Sequence, residues 1–430
     1  MLSVFLSGCS KAKENSGGGN EANYYTKSSI TVTEEGSFYY IYRYPMSEKN
    51  FNLIYYYDKK NDISYPLCSD TSCKHTDNTC QAFIEDNECL GKAILYFNKR
   101  IYMIERDTES DSLVSFDKTG GDKKLEARLS VDGNSLLKNS RPSAICMVDG
   151  NVYYILVAKN SLDVYRYSIE KKENKLITKY ENPDDMRIAL SKTKDKIYVN
   201  TIRGGIASDN MTYSIASIDV KDDKYTEIAV FDKIENLRGN VDEWVVDIAY
   251  DDNENFYFPS VYEDEFILNK MSLRDLKNTE IYSIKGNGNT ELYKADTDYI
   301  RILGYSGKYV VLNKGANIAV NKHSEEPTYM YFIDEAGKLS HSLEMKQKMP
   351  DGIRSNSNVE YEYLGVVDGR IVITTDCLYL KDLKLSDEWY EHYEQLAKKN
   401  SKGMIYTKLI LTNDVENAGE WDNITYDMFR

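Results

Sequence analysis

Three cysteines and a histidine fall within 13 residues, at Cys68, Cys73, His75 and Cys80, and Cys89 follows nine residues later. Thiolate and imidazole are preferred ligands of a tetrahedral zinc ion, and Cys68, Cys73, His75 and Cys80 would make a closed set of four. Their spacing, C-x4-C-x-H-x4-C, departs from the usual ribbon and knuckle spacings. Disulfides are the competing chemistry, because Cys68, Cys73, Cys80 and Cys89 are even in number and allow three pairings. That reading leaves His75 as a surface residue. A site with four protein ligands has no open position for water or substrate, so a metal here would be a staple rather than a catalyst. Cys146 and Cys377 stand alone in apolar stretches and read as small buried side chains.

Other catalytic constellations are missing from the sequence. The four histidines, His75, His323, His341 and His392, neighbour no recognisable nucleophile, and there is no G-x-S-x-G elbow, H-E-x-x-H helix or phosphate-cradling glycine loop. Asp251-Asp252-Asn253-Glu254-Asn255 has the look of a calcium loop but lacks the glycine at its sixth position and the glutamate at its twelfth, so it reads as a turn. A carboxylate enzyme stays open as an alternative. Propeller glycosidases gather Asp and Glu from several blades, and 69 acidic residues supply candidates, although the S-x-D-x-G-x-T-W repeat of bacterial sialidases is absent.

The elements that must position these residues are announced by a repeat. A turn-like stretch, a branched or aromatic residue and then usually tyrosine recur at Gly36-Ser37-Phe38-Tyr39, Lys99-Arg100-Ile101-Tyr102, Gly150-Asn151-Val152-Tyr153, Asp195-Lys196-Ile197-Tyr198, Glu254-Asn255-Phe256-Tyr257, Gly307-Lys308-Tyr309-Val310 and Gly369-Arg370-Ile371-Val372. The steps of 45 to 63 residues suit propeller blades with added loops. A second alternating run follows in each unit and ends at a polar turn, as in Leu53–Tyr57 before Asp58 and Leu113–Phe116 before Asp117. The expected fold is therefore all-β, a β-propeller of seven four-stranded blades, with six or eight also compatible. The 37 tyrosines fit such sheets without any special function. The cysteine loop is expected in a crossover from the outer strand of the first blade to the inner strand of the second, on the face that usually carries ligand sites. One short helix, Ser386–Ala397, is expected within the last blade, with Ser386 as N-cap and Trp389, Tyr393 and Leu396 pinning it to the flank.

The ends and the charge bear on location. Leu6-Ser7-Gly8-Cys9 resembles the bacterial lipobox, in which the cysteine receives a diacylglyceryl group and the preceding peptide is removed. No basic n-region precedes it and the apolar run is short, so the natural start is expected upstream. Residues 10–23 hold no large apolar side chain and contain Gly17-Gly18-Gly19, which reads as a flexible tether. The expected organisation is a signal remnant and lipobox over 1–9, a tether over 10–23 and a propeller domain over 24–430. A formal net charge of -15 with interspersed signs argues against nucleic-acid partners and a polybasic membrane patch.

The lipobox, the blade repeats and the loop Pro66-Leu67-Cys68 … Cys73-Lys74-His75 … Cys80-Gln81-Ala82 together resemble a group of predicted lipoproteins of Gram-positive anaerobes, related in architecture to TolB-like propellers. The resemblance implies a surface-anchored propeller and carries over no activity. The functional expectation is a lipid-anchored extracytoplasmic propeller that binds or scaffolds a protein, peptide or glycan partner without catalysis. The alternative is a propeller enzyme acting on glycans or peptides through carboxylates at the channel mouth.

Overall fold

Every one of the seven repeat units opens the second strand of a separate sheet. The computed structural model describes residues 30–44, 51–61, 63–70, 72, 73, 75, 78–85, 89–106, 110–130, 134–137, 144–183, 186–204, 212–231, 248–261, 265–285, 298–316, 329–344, 361–367, 370–380, 403–412 and 421–425, some strand positions by backbone alone. Cys9, the tether over 10–23 and the expected helix Ser386–Ala397 lie outside these residues. No α-helix occurs among the described residues.

The first sheet holds β1 (Ile30–Val32), β2 (Phe38–Tyr44), β3 (Phe51–Asp58), β4 (Ile63–Pro66) and β5 (Phe83–Glu85), and the second holds β6 (Cys89–Phe97), β7 (Arg100–Arg106), β8 (Asp111–Asp117) and β9 (Lys124–Arg128). The third holds β10 (Ser135–Leu136), β11 (Ile145–Val148), β12 (Asn151–Ala158), β13 (Ser161–Ser168) and β14 (Glu173–Glu181). The fourth holds β15 (Met186–Lys192), β16 (Lys196–Arg203), β17 (Thr212–Asp219) and β18 (Tyr225–Phe231), and the fifth β19 (Ala249–Tyr250), β20 (Asn255–Val261), β21 (Glu265–Ser272) and β22 (Asn278–Lys285). The sixth holds β23 (Asp298–Tyr305), β24 (Tyr309–Ala316), β25 (Tyr329–Asp334) and β26 (Leu339–Glu344), and the seventh β27 (Tyr361–Val367), β28 (Arg370–Leu380), β29 (Gly403–Thr412) and β30 (Trp421–Thr425).

Within a sheet all neighbouring strands pair antiparallel. First strands of successive sheets lie against one another, β1 against β6, β6 against β11, β11 against β15, β15 against β19 and β19 against β23, while β27 lies against β1. A Cβ at Gly304 of β23 would meet the Tyr363 ring of β27 at 3.6 Å. This radial order is that of a β-propeller. The first and third sheets depart from the four-strand expectation. In the third, β10 and β11 both pair with β12, so the first strand is split; in the first, the fourth strand is split.

The repeat tyrosines cement neighbouring sheets. Tyr39, Tyr102, Tyr153, Tyr198 and Tyr257 are all buried. Tyr39 Oη donates to Lys118 O at 3.1 Å, in the β8–β9 turn of the next sheet. Tyr198 stacks on Tyr250 at 4.0 Å and Tyr257 on Tyr305 at 5.8 Å, each across a sheet boundary. Such pairs bury ring area while the hydroxyl finds a polar partner. Ion pairs add to the boundaries: Asp223 takes Arg166 at 3.4 Å and Lys175 at 2.9 Å, and Glu254 pairs with Lys196 of the fourth sheet and also with Arg274 of its own.

Aspartate ends the third strand in four sheets and closes the turn that follows. Asp58 accepts from Lys60 N, Asp117 from Thr119 N and Gly121 N, Asp219 from Lys221 N, and Asp334 from Ala336 N and Lys338 N. These are Asx turns, in which a short carboxylate replaces a backbone acceptor. Asp251 behaves alike at the start of β20: Oδ1 accepts from Asn253 N and Asn255 N, and Oδ2 from Asn255 Nδ2 and Tyr257 Oη. Its oxygens are occupied by the turn.

Candidate metal centre

The cysteine loop interrupts the outermost strand of the first sheet. β3 pairs with β4 over Tyr55–Asp58 and with β5 over Phe51–Leu53, both antiparallel, leaving only Ile54 between them. Leu67 N donates to Ile54 O at 2.8 Å, and Ile54 N donates to Ala82 O at 2.9 Å. The crossover to the second sheet comes later, between Glu85 and Cys89. The expected placement of the loop in an outer-to-inner crossover is thereby corrected: residues 68–81 loop out of a cut strand at the sheet's outer edge. Sequence missed this because β5 is three residues long and its Phe83-Ile84-Glu85 carries no clear alternation.

Local turns aim the four side chains at one point. Cys68 N donates to Pro66 O at 2.7 Å and Cys73 N to Asp70 O at 3.2 Å. Asp70 Oδ1 accepts from Ser72 N at 2.8 Å and Ser72 Oγ at 2.7 Å, and those bonds hold its carboxyl below the usual range. Gln81 Oε1 accepts from Ser69 N and Ser69 Oγ, tying the two limbs of the loop together. His75 sits at φ 54, in the left-handed region that costs a non-glycine residue about 1–2 kcal/mol. The reversal turns its ring back, and Nδ1 lies 3.2 Å from Cys80 Sγ.

The ligand atoms of Cys68, Cys73, His75 and Cys80 all lie within 4.8 Å of one another. Cys80 is buried and the other three are half-buried. Tetrahedral zinc with Zn–S near 2.3 Å and Zn–N near 2.05 Å needs sulfur-to-nitrogen separations of about 3.5 Å and sulfur-to-sulfur separations of about 3.8 Å. The residues present fit such an ion.

Backbone donors also point at sulfur. His75 N lies 3.4 Å from Cys73 Sγ, and the Ala82 amide donates toward Cys80 Sγ. In both cases the amide two residues on reaches the preceding sulfur, an arrangement that favours thiolate. Burial, and then the neighbouring Cys73 and Cys68 thiols, push the Cys80 thiol up to about 12 against the help of the Ala82 amide. Burial holds His75 below its ordinary value, which keeps the imidazole in its neutral, ligating form. A cation supplies the counter-charge that lets such a cluster ionise.

Cys68, Cys73, Cys80 and Cys146 carry free thiols in this structure. Cys146 is 3% exposed, and burial pushes its thiol up to about 12, in keeping with a small core side chain. The side chains of Cys89 and Cys377 lie outside the described residues, as do His323 and His392. His341 packs edge-on against Tyr309 at 5.9 Å, in the sixth sheet and away from the cysteine loop.

No family model matches the chain, and no curated protein matches it. Among solved structures it is similar to the β-propeller domain of the Trilobed protease from Pyrococcus furiosus, at 12% identity and a TM-score of 0.47 over 94% of this chain and 98% of that one. It is also similar to Porphyromonas gingivalis dipeptidyl peptidase 4, at 9% identity and a TM-score of 0.44, covering 89% of this chain and 57% of the peptidase. A third similarity is to TolB from Acinetobacter baumannii, at 10% identity and a TM-score of 0.36 over 74% of this chain and 66% of that one.

Proposed function

We propose that the protein is a metal-stapled β-propeller acting as a non-catalytic binding or scaffold protein outside the cytoplasmic membrane. A diacylglyceryl group on Cys9 and the tether over 10–23 hold it there, and the propeller presents one face to a protein, peptide or glycan partner. The observation that carries the staple is the convergence of Cys68, Cys73, His75 and Cys80 within 4.8 Å. Four protein donors fill a tetrahedral ion, leaving no position for substrate or water, so the site's work is structural. Its place in an outer strand supports the same reading, since an ion there fixes an irregular loop to a rigid sheet.

The test is intact mass under native and denaturing conditions, with thiol counting, on the full chain purified without chelator or reductant. One zinc per chain with the loop cysteines reduced supports the staple. A mass lower by about two hydrogens per cysteine pair, with no ion, replaces it by disulfides. Lipid anchoring is tested separately, by expressing the chain behind a bacterial lipoprotein signal peptide joined at Cys9 and following Cys9→Ser between membrane and soluble fractions. Release of that variant supports the anchor, and unchanged membrane retention removes it.

A further inference from the structure

The outer edge of the first sheet is one strand cut in two. β4 and β5 run in the same direction along β3, and the cut falls at Ile54, whose carbonyl takes Leu67 N and whose amide gives to Ala82 O. β5 offers only three register pairs, Phe51 with Glu85, Asn52 with Ile84 and Leu53 with Phe83. Each such hydrogen bond contributes only modestly, because it replaces a bond to water. Closing the loop of residues 68–81 costs chain entropy of a similar size to what those few bonds return. β5 is therefore marginal unless something shortens the loop.

All four candidate ligands lie inside that loop, and two of them flank the cut. Cys68 follows Leu67 directly, and Cys80 stands two residues before Ala82. An ion joining Cys68 to Cys80 fixes the residues next to both hydrogen bonds at Ile54 and reduces the long loop to short links. The same end of β4 touches the second sheet: a Cβ at Gly120 would lie 2.9 Å from Leu67 O. Cys80 of the loop and its flanking residues Leu67 and Ala82 belong to the buried cluster that contains Ile54 and Phe116.

We propose that a zinc ion on Cys68, Cys73, His75 and Cys80 is the splice of this cut strand, so that its occupancy decides whether β5 stays paired with β3. The inference rests on the metal reading above and adds a consequence that a passive staple would not have. Binding exchanges the thiol protons of the three cysteines for one divalent cation, with neutral His75 as fourth ligand and no change of oxidation state. Loss of the ion unpairs β5, bares the backbone edge at Phe51–Ile54 and loosens Leu67 from the Gly120 turn. The rest of the propeller keeps its order.

Hydrogen exchange followed by mass spectrometry tests this on the full chain, with zinc content measured on the same sample before chelation, after it and after zinc is restored. The expected result is that peptides covering 51–54, 67 and 83–85 exchange about tenfold faster without zinc and recover with it. Peptides covering 151–168 should stay unchanged. Cys73→Ser, which touches neither bond at Ile54, should reproduce the zinc-free pattern. One zinc per chain with exchange over 51–85 indifferent to its removal overturns the splice and leaves the metal site standing. Failure to hold zinc at all overturns both. Faster exchange over 151–168 as well overturns the splice in favour of a global role in stability.

Discussion

Arg370 donates from Nη1 to Tyr57 Oη at 3.1 Å, joining β28 of the last sheet to β3 of the first. Among the described residues the first sheet is built from residues 30–85 and the last from residues 361–425, with no strand exchanged where the two meet. Side chains must hold that seam. Leu364, Val367 and Val372 pack in the same buried cluster as Phe38, Tyr40 and Tyr57, and Tyr57 stacks on Phe38 at 4.6 Å. Tyr57→Phe is expected to cost about 1 kcal/mol, the worth of one hydrogen bond. Tyr57→Ala is expected to cost about 3–5 kcal/mol, because it also opens a cavity. Urea unfolding of both variants checks the difference; equal losses would mean that the ring contributes nothing to the seam.

Metal removal separates the loop cysteines from the core cysteine. Cys80→Ser should lose the ion, whereas Cys146→Ser should keep one per chain, since Cys146 is buried in the third sheet away from the cluster. The ion stabilises the β5 segment in proportion to how far free zinc exceeds its dissociation constant, so chelation should lower the temperature at which that segment opens in the wild type and leave the main propeller transition in place. The opening temperature of Cys80→Ser should not respond. Affinity should weaken as pH falls, because protons compete for the same thiols. Zinc titrations at several pH values, followed by calorimetry, read all three effects.

Glu254 gives a pH dependence at the boundary of the fourth and fifth sheets. Hydrogen bonds from Lys196 and then Arg274 hold its carboxyl below the usual range. A depressed folded-state value means that the group contributes stability above its unfolded value, near 4.3, and loses it as pH falls through the folded value. Arg274 is 72% exposed, so the better-buried Lys196 should carry more of the effect. Glu254→Gln is expected to cost about 1 kcal/mol at pH 7. The difference from wild type should shrink below about pH 4. Thermal unfolding from pH 3 to pH 7 measures it, and a pH-independent gap would place the effect in packing rather than charge.

Period-two runs and turn residues made the strands legible, because hairpin chemistry is local. Gly150-Asn151 and Asp195-Lys196 mark the starts of β12 and β16, and Asp117 and Asp334 mark third-strand ends. The identity of the cluster was legible too, since Cys68, Cys73, His75 and Cys80 stand close in sequence. Its position was not, because the return of Phe83–Glu85 to β3 is set by Ile54, which lies 28 residues before Ala82. Inter-sheet partners such as Asp223 with Arg166, or Tyr198 with Tyr250, join residues more than 50 positions apart and leave no local signal.

Turns of one sheet press on the sheet before it, and Gly337 shows how closely. It lies in the turn between β25 and β26 at φ +80, and a Cβ there would stand 1.9 Å from Ile281 O of β22 in the fifth sheet. The obstacle is backbone, so neither a rotamer change nor a small shift removes it. Gly337→Ala is expected to cost about 3 kcal/mol or more, from the left-handed conformation and the clash together. Gly121 is the comparison. The nearest atoms to a Cβ there are those of the Asp117 carboxylate, from 3.3 Å, and no left-handed backbone is involved. Gly121→Ala should cost about 1 kcal/mol or less. Denaturation midpoints of the two variants decide the matter: a large gap means that the fifth and sixth sheets meet through this turn, and similar midpoints mean that the turn moves away freely.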